Sequence, residues 1–274
     1  DILIIRICRM KIGVVGLGLI GGSIFKALEN LKYDVVGISN SQKSLQENIS
    51  EDYNKLKDCN IVFVATPMNK TLDILQKLEK YLSENTIVAD TCSLKEFVSN
   101  KKYKYTFIPT HPMAGTEFKG FEHSFKEMFE GAKWVVCNRN LTQETNNSLA
   151  ELVYIIEQLG AEVVFADAKE HDEAVAMISH MPMVVAQALF KATADNKLAL
   201  KLASSGFRDM TRLALSNEEM AVDMVNINHK NIEQAILKLY SSVGDLIGGN
   251  YKKEIAEIKQ QRNKMYDKNG KNIL

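Results

Sequence analysis

The residue whose type and position best suit chemistry in this sequence is His111, one of five histidines in 274 residues. It follows the apolar run 105–108 and begins the segment His111-Pro-Met-Ala-Gly-Thr-Glu117. Ligands of doubly wound sheets gather beyond the carboxyl ends of the strands. A histidine placed there can take a proton from a substrate hydroxyl while hydride leaves the same carbon. The spacing alone equally allows a loop histidine that satisfies backbone groups.

A second polar cluster, Asp90-Thr-Cys-Ser93-Leu-Lys95, follows the preceding apolar run and belongs to the same predicted edge of the sheet. Its Ser93 is placed to hydrogen-bond His111 or a substrate. An ordinary loop role for this serine, in which its hydroxyl satisfies backbone groups, stays open.

Arg208 and Arg212 stand four residues apart at the start of a predicted helix, so they project from one face. The functional interpretation is that their guanidinium groups bind a substrate carboxylate through paired hydrogen bonds. The alternative interpretation is a surface ion pair, with Asp209 as a neighbouring partner.

His171 and His180 lie on one predicted helix, nine residues apart. At about 100° per residue this spacing puts them on opposite faces, so they cannot both ligate one metal ion. No metal site is expected. His180 shares its face with Glu173 and Val184, which suits either a buried histidine or a cleft residue.

The residues that would position a cofactor form the motif Gly16-x-Gly18-x-x-Gly21, which follows a short β-branched run and opens an amphipathic helix. Gly16 permits a tight turn, Gly18 lets the backbone approach a pyrophosphate, and Gly21 lets the helix pack close to the strand. The helix begins at Leu19 and Ile20, whose free N–H groups favour phosphate. The motif predicts a dinucleotide site, the alternative being a structural glycine turn.

The choice between NAD and NADP depends on the end of the second predicted strand, where NAD-selective proteins usually place Asp or Glu. This chain has Ser39-Asn40-Ser41 there. Without a carboxylate nothing repels a 2′-phosphate, and Ser39, Ser41 and Lys43 offer donors or charge, although no arginine is near. The residues favour NADP slightly over NAD and leave both open.

The elements that must position these groups are strands alternating with helices. Each strand-like run is mostly apolar throughout, as expected for strands that are covered on both faces. The alternation predicts an α/β protein with a doubly wound, largely parallel sheet of the Rossmann type. The predicted strands are 11–15, 34–38, 60–65, 86–89, 105–108, 133–136 and 162–166.

After Phe165 no β-rich run follows, and the remaining sequence predicts helices. Asp167-Ala-Lys-Glu170 fits a capping box at the start of the first of them. Pro182 lies inside that helix and is expected to kink it, because proline lacks a backbone donor. The later predicted helices are 196–204, 207–215, 217–227, 229–247 and 251–266.

These patterns divide the chain near residue 167. Residues 10–167 are predicted to bind the dinucleotide, and residues 168–274 to form an all-helical domain that binds substrate and dimerises. Residues 1–9 are expected to be an extension outside the fold. Long helices rich in Ile, Leu, Val and Met after a nucleotide domain predict a homodimer.

Composition excludes several classes of partner. Lys plus Arg and Asp plus Glu balance at 34 each, so nothing favours nucleic acid or an anionic membrane. The apolar first nine residues are too short to span a bilayer. The dispersed cysteines predict reduced thiols of a cytoplasmic protein; they are Cys8, Cys59, Cys92 and Cys137.

Together these segments resemble the prephenate/arogenate dehydrogenase family of tyrosine biosynthesis. The matching segments, in family order, are Gly16-Leu-Gly-Leu-Ile-Gly-Gly-Ser23, Ala65-Thr66-Pro67, Asp90-x-x-Ser93-x-Lys95, His111-Pro-Met-Ala-Gly-Thr-Glu117, His171-Asp-x-x-x-Ala176, Ser179-His-Met-Pro182 and Gly206-Phe-Arg-Asp-x-x-Arg212. The resemblance implies a Rossmann domain and an all-helical dimerisation domain, with the active site in the cleft between them. It places Thr66 and Pro67, like the glycine loop, at the cofactor.

The resemblance also implies oxidative decarboxylation of prephenate, in which a ring carbon gives hydride to NAD(P), the ring carboxylate leaves as carbon dioxide and the ring aromatises. His111 matches the catalytic base on the ring hydroxyl, and Ser93 matches the serine that orients this histidine and the substrate. Arg212 matches an arginine that binds a substrate carboxylate. His180 and Glu117 match polar residues that line the pocket.

One departure bears on the substrate. Prephenate-using members often carry a second histidine in Ser-His-Leu-Pro-His, and this chain has Met183 at that position. Prephenate dehydrogenase is the expected function, with an NADP-linked arogenate dehydrogenase as the alternative. A nucleotide-sensing binding protein is disfavoured, because it needs no cleft that combines His111, Ser93 and Arg212. The β-hydroxyacid dehydrogenases are disfavoured because the helical half lacks their glycine-rich segment with its lysine.

Overall fold

The main sheet has six strands, and every neighbouring pair in it is parallel. In the computed structural model, which describes residues 10–42, 46–116, 118–137, 143–267, 270 and 272, its spatial order is β3-β2-β1-β4-β5-β6. The order reverses between β1 and β4, the switch point where a doubly wound sheet binds its ligands. The strands are β1 (Lys11–Val15), β2 (Asp34–Ile38), β3 (Ile49–Ser50), β4 (Ile61–Val64), β5 (Ile87–Asp90) and β6 (Thr106–Ile108).

Both faces of this sheet are buried under helices, which explains the continuous apolar runs. Alternate residues of β4 show the division: Phe63 joins the core beneath one face, and Val62 joins the core on the other. The helices of this half of the chain are α1 (Leu19–Asn30), α2 (Met68–Leu78), α3 (Glu96–Ser99) and α4 (Gln143–Gln158), and 3₁₀ turns cover Tyr53–Leu56 and Phe121–His123. The predicted Rossmann-type α/β fold is confirmed.

A second, three-stranded sheet holds strands that the sequence assigned to the main one. It consists of β7 (Thr110–Pro112), β8 (Lys133–Cys137) and β9 (Glu162–Ala166), with β7 antiparallel to β8 and β8 parallel to β9. The chain leaves the main sheet at Pro109, which has no N–H to continue a ladder. His111 therefore lies within the short strand β7 and not in a loop.

From residue 168 to Met265 the elements are helices and helical turns. The capping box at their start is confirmed: the Asp167 side chain accepts from backbone N–H of the first turn, and the Glu170 side chain accepts from the backbone N–H of Asp167. The elements are α5 (Ala168–Val175), a π-helical turn (Ala176–His180), α6 (Met181–Thr193), α7 (Lys197–Leu202), α8 (Ser205–Thr211), a 3₁₀ turn (Arg212–Leu215), α9 (Glu218–Gly248) and α10 (Tyr251–Met265). The two helices predicted at 217–227 and 229–247 form α9, whose backbone leaves helical geometry at Asn228.

The proline in this helical stretch is accommodated by a wider turn. Pro182 cannot donate to the carbonyl of Ile178, four residues earlier. A π-helical turn, 176–180, directly precedes it, and the chain stays helical on both sides. His180 is the last residue of that turn, and turns of this kind are frequent at functional sites.

The described residues form two compact units, which divide between His229 and Lys230. The boundary near residue 167 stays a prediction, and residues 1–9 lie outside the described part of the chain. Within the described residues one helical stretch, 168–193, has the length and hydropathy of a membrane span. It carries His171, Asp172 and His180 as buried, hydrogen-bonded side chains, so we assign it to the protein's own packing.

Candidate active site

His111 is joined to a histidine sixty residues away in the sequence. Its Nδ1 lies 2.9 Å from Nε2 of His171, and Nδ1 of His171 lies 2.8 Å from Oδ1 of Asp172. Strand β7 carries His111, and α5 carries the other two residues. The three side chains form one continuous hydrogen-bonded chain that ends on a carboxylate.

This chain fixes where the protons are, because an ionised carboxylate only accepts hydrogen bonds. Oδ1 of Asp172 also accepts from the backbone N–H of Lys95 at 2.8 Å, and Oδ2 from that of Glu96 at 2.9 Å. His171 must then donate from Nδ1, and a neutral His171 accepts at Nε2. His111 in turn donates from Nδ1, which leaves a lone pair on its Nε2.

The electrostatic surroundings keep His111 uncharged. Desolvation by the surrounding protein, together with the nearby His171 and Lys95, holds the pKa of His111 well below the ordinary 6.5. A neutral imidazole with a free lone pair at Nε2 is the form that a general base needs.

A buried ion pair positions the backbone next to His111. Nζ of Lys95 contacts Oδ2 of Asp90 and, at 2.5 Å, the carbonyl oxygen of Thr110, and both charged side chains are fully buried. Oδ1 of Asp90 accepts the N–H of Thr110 at 3.1 Å. The pair thus ties the end of β5 to the start of β7, where His111 follows.

His180 is buried and lies beside the same group of residues. Its Nδ1 is 3.2 Å from Nδ2 of Asn228, which also donates to the carbonyl oxygen of Asp172 at 3.0 Å. Burial, the largest cause, lowers the pKa of His180 to about 4; Asp172 opposes this effect and His171 adds to it.

The glycine turn has the shape that a pyrophosphate requires. Gly16 has φ +90°, and a Cβ on it would meet the carbonyl oxygen of Ala65 at 2.6 Å; a Cβ on Gly21 would meet that of Gly16 at 1.9 Å. A Cβ on Gly18 would meet nothing within 4 Å, so the space over the start of α1 is open. The first turn of α1, which includes Leu19, carries no acidic residue. The residues present therefore fit a dinucleotide phosphate at this helix N-terminus.

Thr66 and Pro67 follow β4 on the other side of the switch point. Oγ1 of Thr71 lies 3.1 Å from Oγ1 of Thr66, 3.1 Å from the carbonyl oxygen of Pro67 and 3.1 Å from Sγ of Cys92. One threonine thus holds together the segments that follow β4 and β5. The turn 65–67 also lies against the glycine loop, since a Cβ on Gly16 would meet the carbonyl oxygen of Ala65 at 2.6 Å.

The residues after β2 carry hydroxyls. Ser39 is buried, its Oγ lies 3.3 Å from that of Ser41, and it accepts the N–H of Gln42 at 3.3 Å. Asn40 is exposed. Residues 39–42 contain no carboxylate, and Lys43 lies outside the described residues.

Within the described part of the chain, the contacts of Ser93, Arg208 and Arg212 do not link them to His111. Among the hydrogen bonds of the described residues, none joins Ser93 to His111; the hydrogen-bond partner of His111 is His171. Arg208 is exposed and its Nε lies 3.3 Å from Oδ1 of Asp209, which is the surface ion pair weighed as its alternative. Arg212 begins the 3₁₀ turn that packs on α6. Their roles stay predictions.

Glu117 lies outside the described residues. Within those residues, no group of three or more His, Cys, Asp or Glu side chains could hold a metal ion. Reasoning from sequence missed the roles of Asp172, Lys95 and Asn228. The motifs Asp90-x-x-Ser93-x-Lys95 and His171-Asp contained the first two, but only the fold shows their partners.

Comparison with protein families gives two matches. The family described as "Prephenate dehydrogenase, nucleotide-binding domain" matches residues 34–165. The family described as "Prephenate dehydrogenase, dimerization domain" matches residues 167–249. Together the two matches cover more than half of the chain.

Individual relatives agree with these matches. The chain is 28% identical over 263 residues to a prephenate dehydrogenase of Lactococcus lactis subsp. cremoris, covering 84% of this chain and 71% of the relative. It resembles the solved structure of Synechocystis arogenate dehydrogenase with TM-score 0.78 and 32% identity, over 93% of this chain and 98% of that one. The structure of Aquifex aeolicus prephenate dehydrogenase in complex with hydroxyphenyl propionate and NAD⁺ matches with TM-score 0.77 and 27% identity, over 92% and 96% of the two chains.

Proposed function

Because the chain belongs to the prephenate dehydrogenase family, we propose that it oxidatively decarboxylates prephenate to 4-hydroxyphenylpyruvate. It is an NAD(P)-dependent dehydrogenase. The observation that carries the proposal is the chain from His111 through His171 to Asp172, which leaves an uncharged base at the carboxyl edge of the sheet.

His111, His171 and Asp172 together handle the proton of the substrate hydroxyl. Nε2 of His111 takes the proton of the ring hydroxyl, and the resulting positive charge is shared with His171 and balanced by the carboxylate of Asp172. The nicotinamide, when bound, accepts hydride from the carbon that bears this oxygen. The bond to the ring carboxylate breaks, its electron pair enters the ring, and carbon dioxide leaves. His111 then returns the proton to the phenolate oxygen of the aromatic product.

We assign the remaining contacts to residues around this base. Ser93 orients the substrate hydroxyl, and Arg212 binds a substrate carboxylate. His180 and Glu117 line the pocket. These assignments rest on the motifs in which the residues stand and on the position of Ser93 directly after β5.

Cofactor preference follows from the residues after β2. With hydroxyls at Ser39 and Ser41 and no carboxylate in 39–42, nothing repels a 2′-phosphate, so we infer a preference for NADP over NAD. A lower KM for NADP supports this inference. A strong preference for NAD overturns it.

Arogenate is the second candidate substrate, on the evidence of Met183. That residue is buried with Met68, Cys92 and Leu94 in an apolar cluster, so it offers no donor to the substrate side chain. The test is a comparison of rates for prephenate and arogenate, each with NAD and NADP, by the absorbance of the reduced nicotinamide. Faster turnover of prephenate supports the main proposal, and faster turnover of arogenate supports the second. No signal with either substrate contradicts both and favours a nucleotide sensor.

The helical region carries exposed apolar surface that a second copy of the chain would cover. Leu202 and Leu215 are 70% and 85% exposed, and Tyr240 and Ile247 are both 79% exposed. With the match of residues 167–249 to a dimerisation domain, we propose a cytoplasmic homodimer, with residues 10–167 binding the dinucleotide. Light scattering that gives the mass of one chain at micromolar concentration overturns the dimer.

A further inference from the structure

The backbone of α9 leaves helical geometry at one residue, Asn228, with φ −105° and ψ 18°. This residue is only 5% exposed. A buried amide requires hydrogen-bond partners, so its contacts define what the residue does.

The contacts fix the orientation of the Asn228 side chain. A backbone carbonyl only accepts, so the atom that lies 3.0 Å from the carbonyl oxygen of Asp172 must be the amide nitrogen. That nitrogen has a second hydrogen, and Nδ1 of His180 lies 3.2 Å from it. Nδ1 of His180 must therefore accept, which requires the ring proton to be on Nε2.

We propose that Asn228 is a positioning residue that locks His180 in the tautomer protonated on Nε2, so that His180 offers an uncharged N–H donor to an oxygen of the substrate. The inference rests on the proposed function only for the identity of the substrate. The tautomer itself follows from the contacts of Asn228.

The two histidines of the site thereby receive opposite tasks. His111, protonated on Nδ1, presents an acceptor, whereas His180, protonated on Nε2, presents a donor. Asp172 controls both, since its carboxylate accepts from His171 and its backbone carbonyl orients Asn228.

The charges that face His180 favour a neutral ring. The ring is packed against α9 by Asn228. The titratable groups near it are Asp172, which raises its pKa, His171, which lowers it, and His111, whose own pKa His180 lowers; burial is the largest effect and outweighs that of Asp172. An uncharged donor can bind a substrate oxygen without competing with His111 for its proton.

The direct test is the tautomer of His180 in the full chain, read from nitrogen-15 chemical shifts and long-range proton couplings of the imidazole at pH 7.5. The signals of His180 are assigned by their loss in His180→Gln. The proposal expects Nε2 to be protonated and Nδ1 to be bare. A proton on Nδ1 in the wild-type protein overturns it, whatever the variants do.

Asn228→Asp reverses the tautomer that His180 must adopt, because a carboxylate can only accept a hydrogen bond from Nδ1. The expected result is a proton on Nδ1 of His180 and a KM for the substrate about 10- to 100-fold higher, the range for losing a hydrogen bond to a buried group. We expect kcat to stay within about threefold and NAD(P) affinity to be unchanged, since His111 keeps its own partners. A purely structural role would instead lower cofactor affinity and stability together, without moving the ring proton.

Asn226→Asp, on the same helix at an exposed position, is the matched control and should leave both the tautomer and KM unchanged. Asn228→Gln keeps a donor and should keep the proton of His180 on Nε2. If wild-type enzyme oxidises neither prephenate nor arogenate, the proposed function fails while the spectrum still decides the tautomer. Normal turnover with an unchanged KM in folded Asn228→Asp refutes the role of Asn228.

Discussion

Asp172→Asn tests the hydrogen-bonded chain behind His111. In the native protein the Asp172 carboxylate accepts from the N–H of Lys95 at 2.8 Å, from the N–H of Glu96 at 2.9 Å and from Nδ1 of His171 at 2.8 Å. An amide has only one acceptor oxygen, and Oδ1 serves both the N–H of Lys95 and His171 while Oδ2 serves the N–H of Glu96, so the NH₂ group must face a backbone N–H in either orientation. At the Oδ1 position it also faces Nδ1 of His171, which then has to accept; at the Oδ2 position the tautomer of His171 is kept, but the negative charge is lost.

With the NH₂ group at the Oδ1 position, the change of tautomer travels along the hydrogen-bonded chain. His171 would accept at Nδ1 and donate from Nε2, so His111 would have to accept at Nδ1 and carry its proton on Nε2. Nε2 of His111 would then lack the lone pair that takes the hydroxyl proton. In the other orientation the tautomers are kept, but no carboxylate balances the positive charge that His111 takes up. We expect kcat to fall about 10²- to 10⁴-fold, the contribution of a general base. Loss of hydrogen bonds to a charged group should lower stability by about 1–3 kcal/mol.

The assay is steady-state turnover, with cofactor affinity and the urea unfolding midpoint as companion measurements. Glu173→Gln is the matched control, because it makes the same acid-to-amide change at an exposed neighbouring position. Asp172→Asn should bind NAD(P) normally while turning over slowly. A folded Asp172→Asn enzyme with kcat within threefold of the wild type would refute the role of the hydrogen-bonded chain from His111 through His171 to Asp172.

Three further perturbations test other parts of the structure. Gly21→Ala should abolish folding or cofactor binding, since its Cβ would lie 1.9 Å from a carbonyl oxygen. Gly18→Ala should fold normally and lose only affinity for NAD(P). Equal folding and equal NAD(P) affinity of the two variants, measured by calorimetry, would contradict this. Lys95→Met should lower the free energy of unfolding by about 3–5 kcal/mol, because it leaves the buried carboxylate of Asp90 unpaired; a change under 1 kcal/mol in urea melts would be inconsistent with the pair. Burial holds the pKa of His180 at about 4, below the 6.5 of the unfolded chain. The contribution of neutral His180 to the free energy of unfolding is therefore present above pH 6.5 and is lost as pH falls towards 4. This loss is at most about 3 kcal/mol, and His180→Gln should flatten that part of the stability profile.

Local features of this fold could be predicted because their causes are local in sequence. Continuous apolar runs predicted five of the six strands of the main sheet to within a residue or two, as with 34–38; the two-residue strand β3 was not predicted. The capping box at Asp167 depends only on residues up to Glu170, and the structure contains it. The break between the predicted helices 217–227 and 229–247 falls at Asn228, where the backbone leaves helical geometry.

The central active-site contacts could not be predicted, because most of them join residues that are far apart in the chain. His111 and His171 are sixty residues apart, and their contact depends on how α5 packs against β7. Lys95 has no local feature that marks it as buried. Its partner Asp90 is five residues away, but its second partner, the carbonyl oxygen of Thr110, lies beside it only because β5 ends next to β7. The departure of β7 from the main sheet follows from Pro109, whose effect on sheet membership depends on the tertiary fold.

The central claim is that His111 is the base of a prephenate or arogenate dehydrogenase, and His111→Asn tests it most directly. The measurement is the initial rate of nicotinamide reduction at saturating substrate, with cofactor affinity determined on the same protein. We predict unchanged NAD(P) binding and a kcat about 10²- to 10⁴-fold lower than that of the wild type. Near-normal turnover by the folded variant would contradict the assignment.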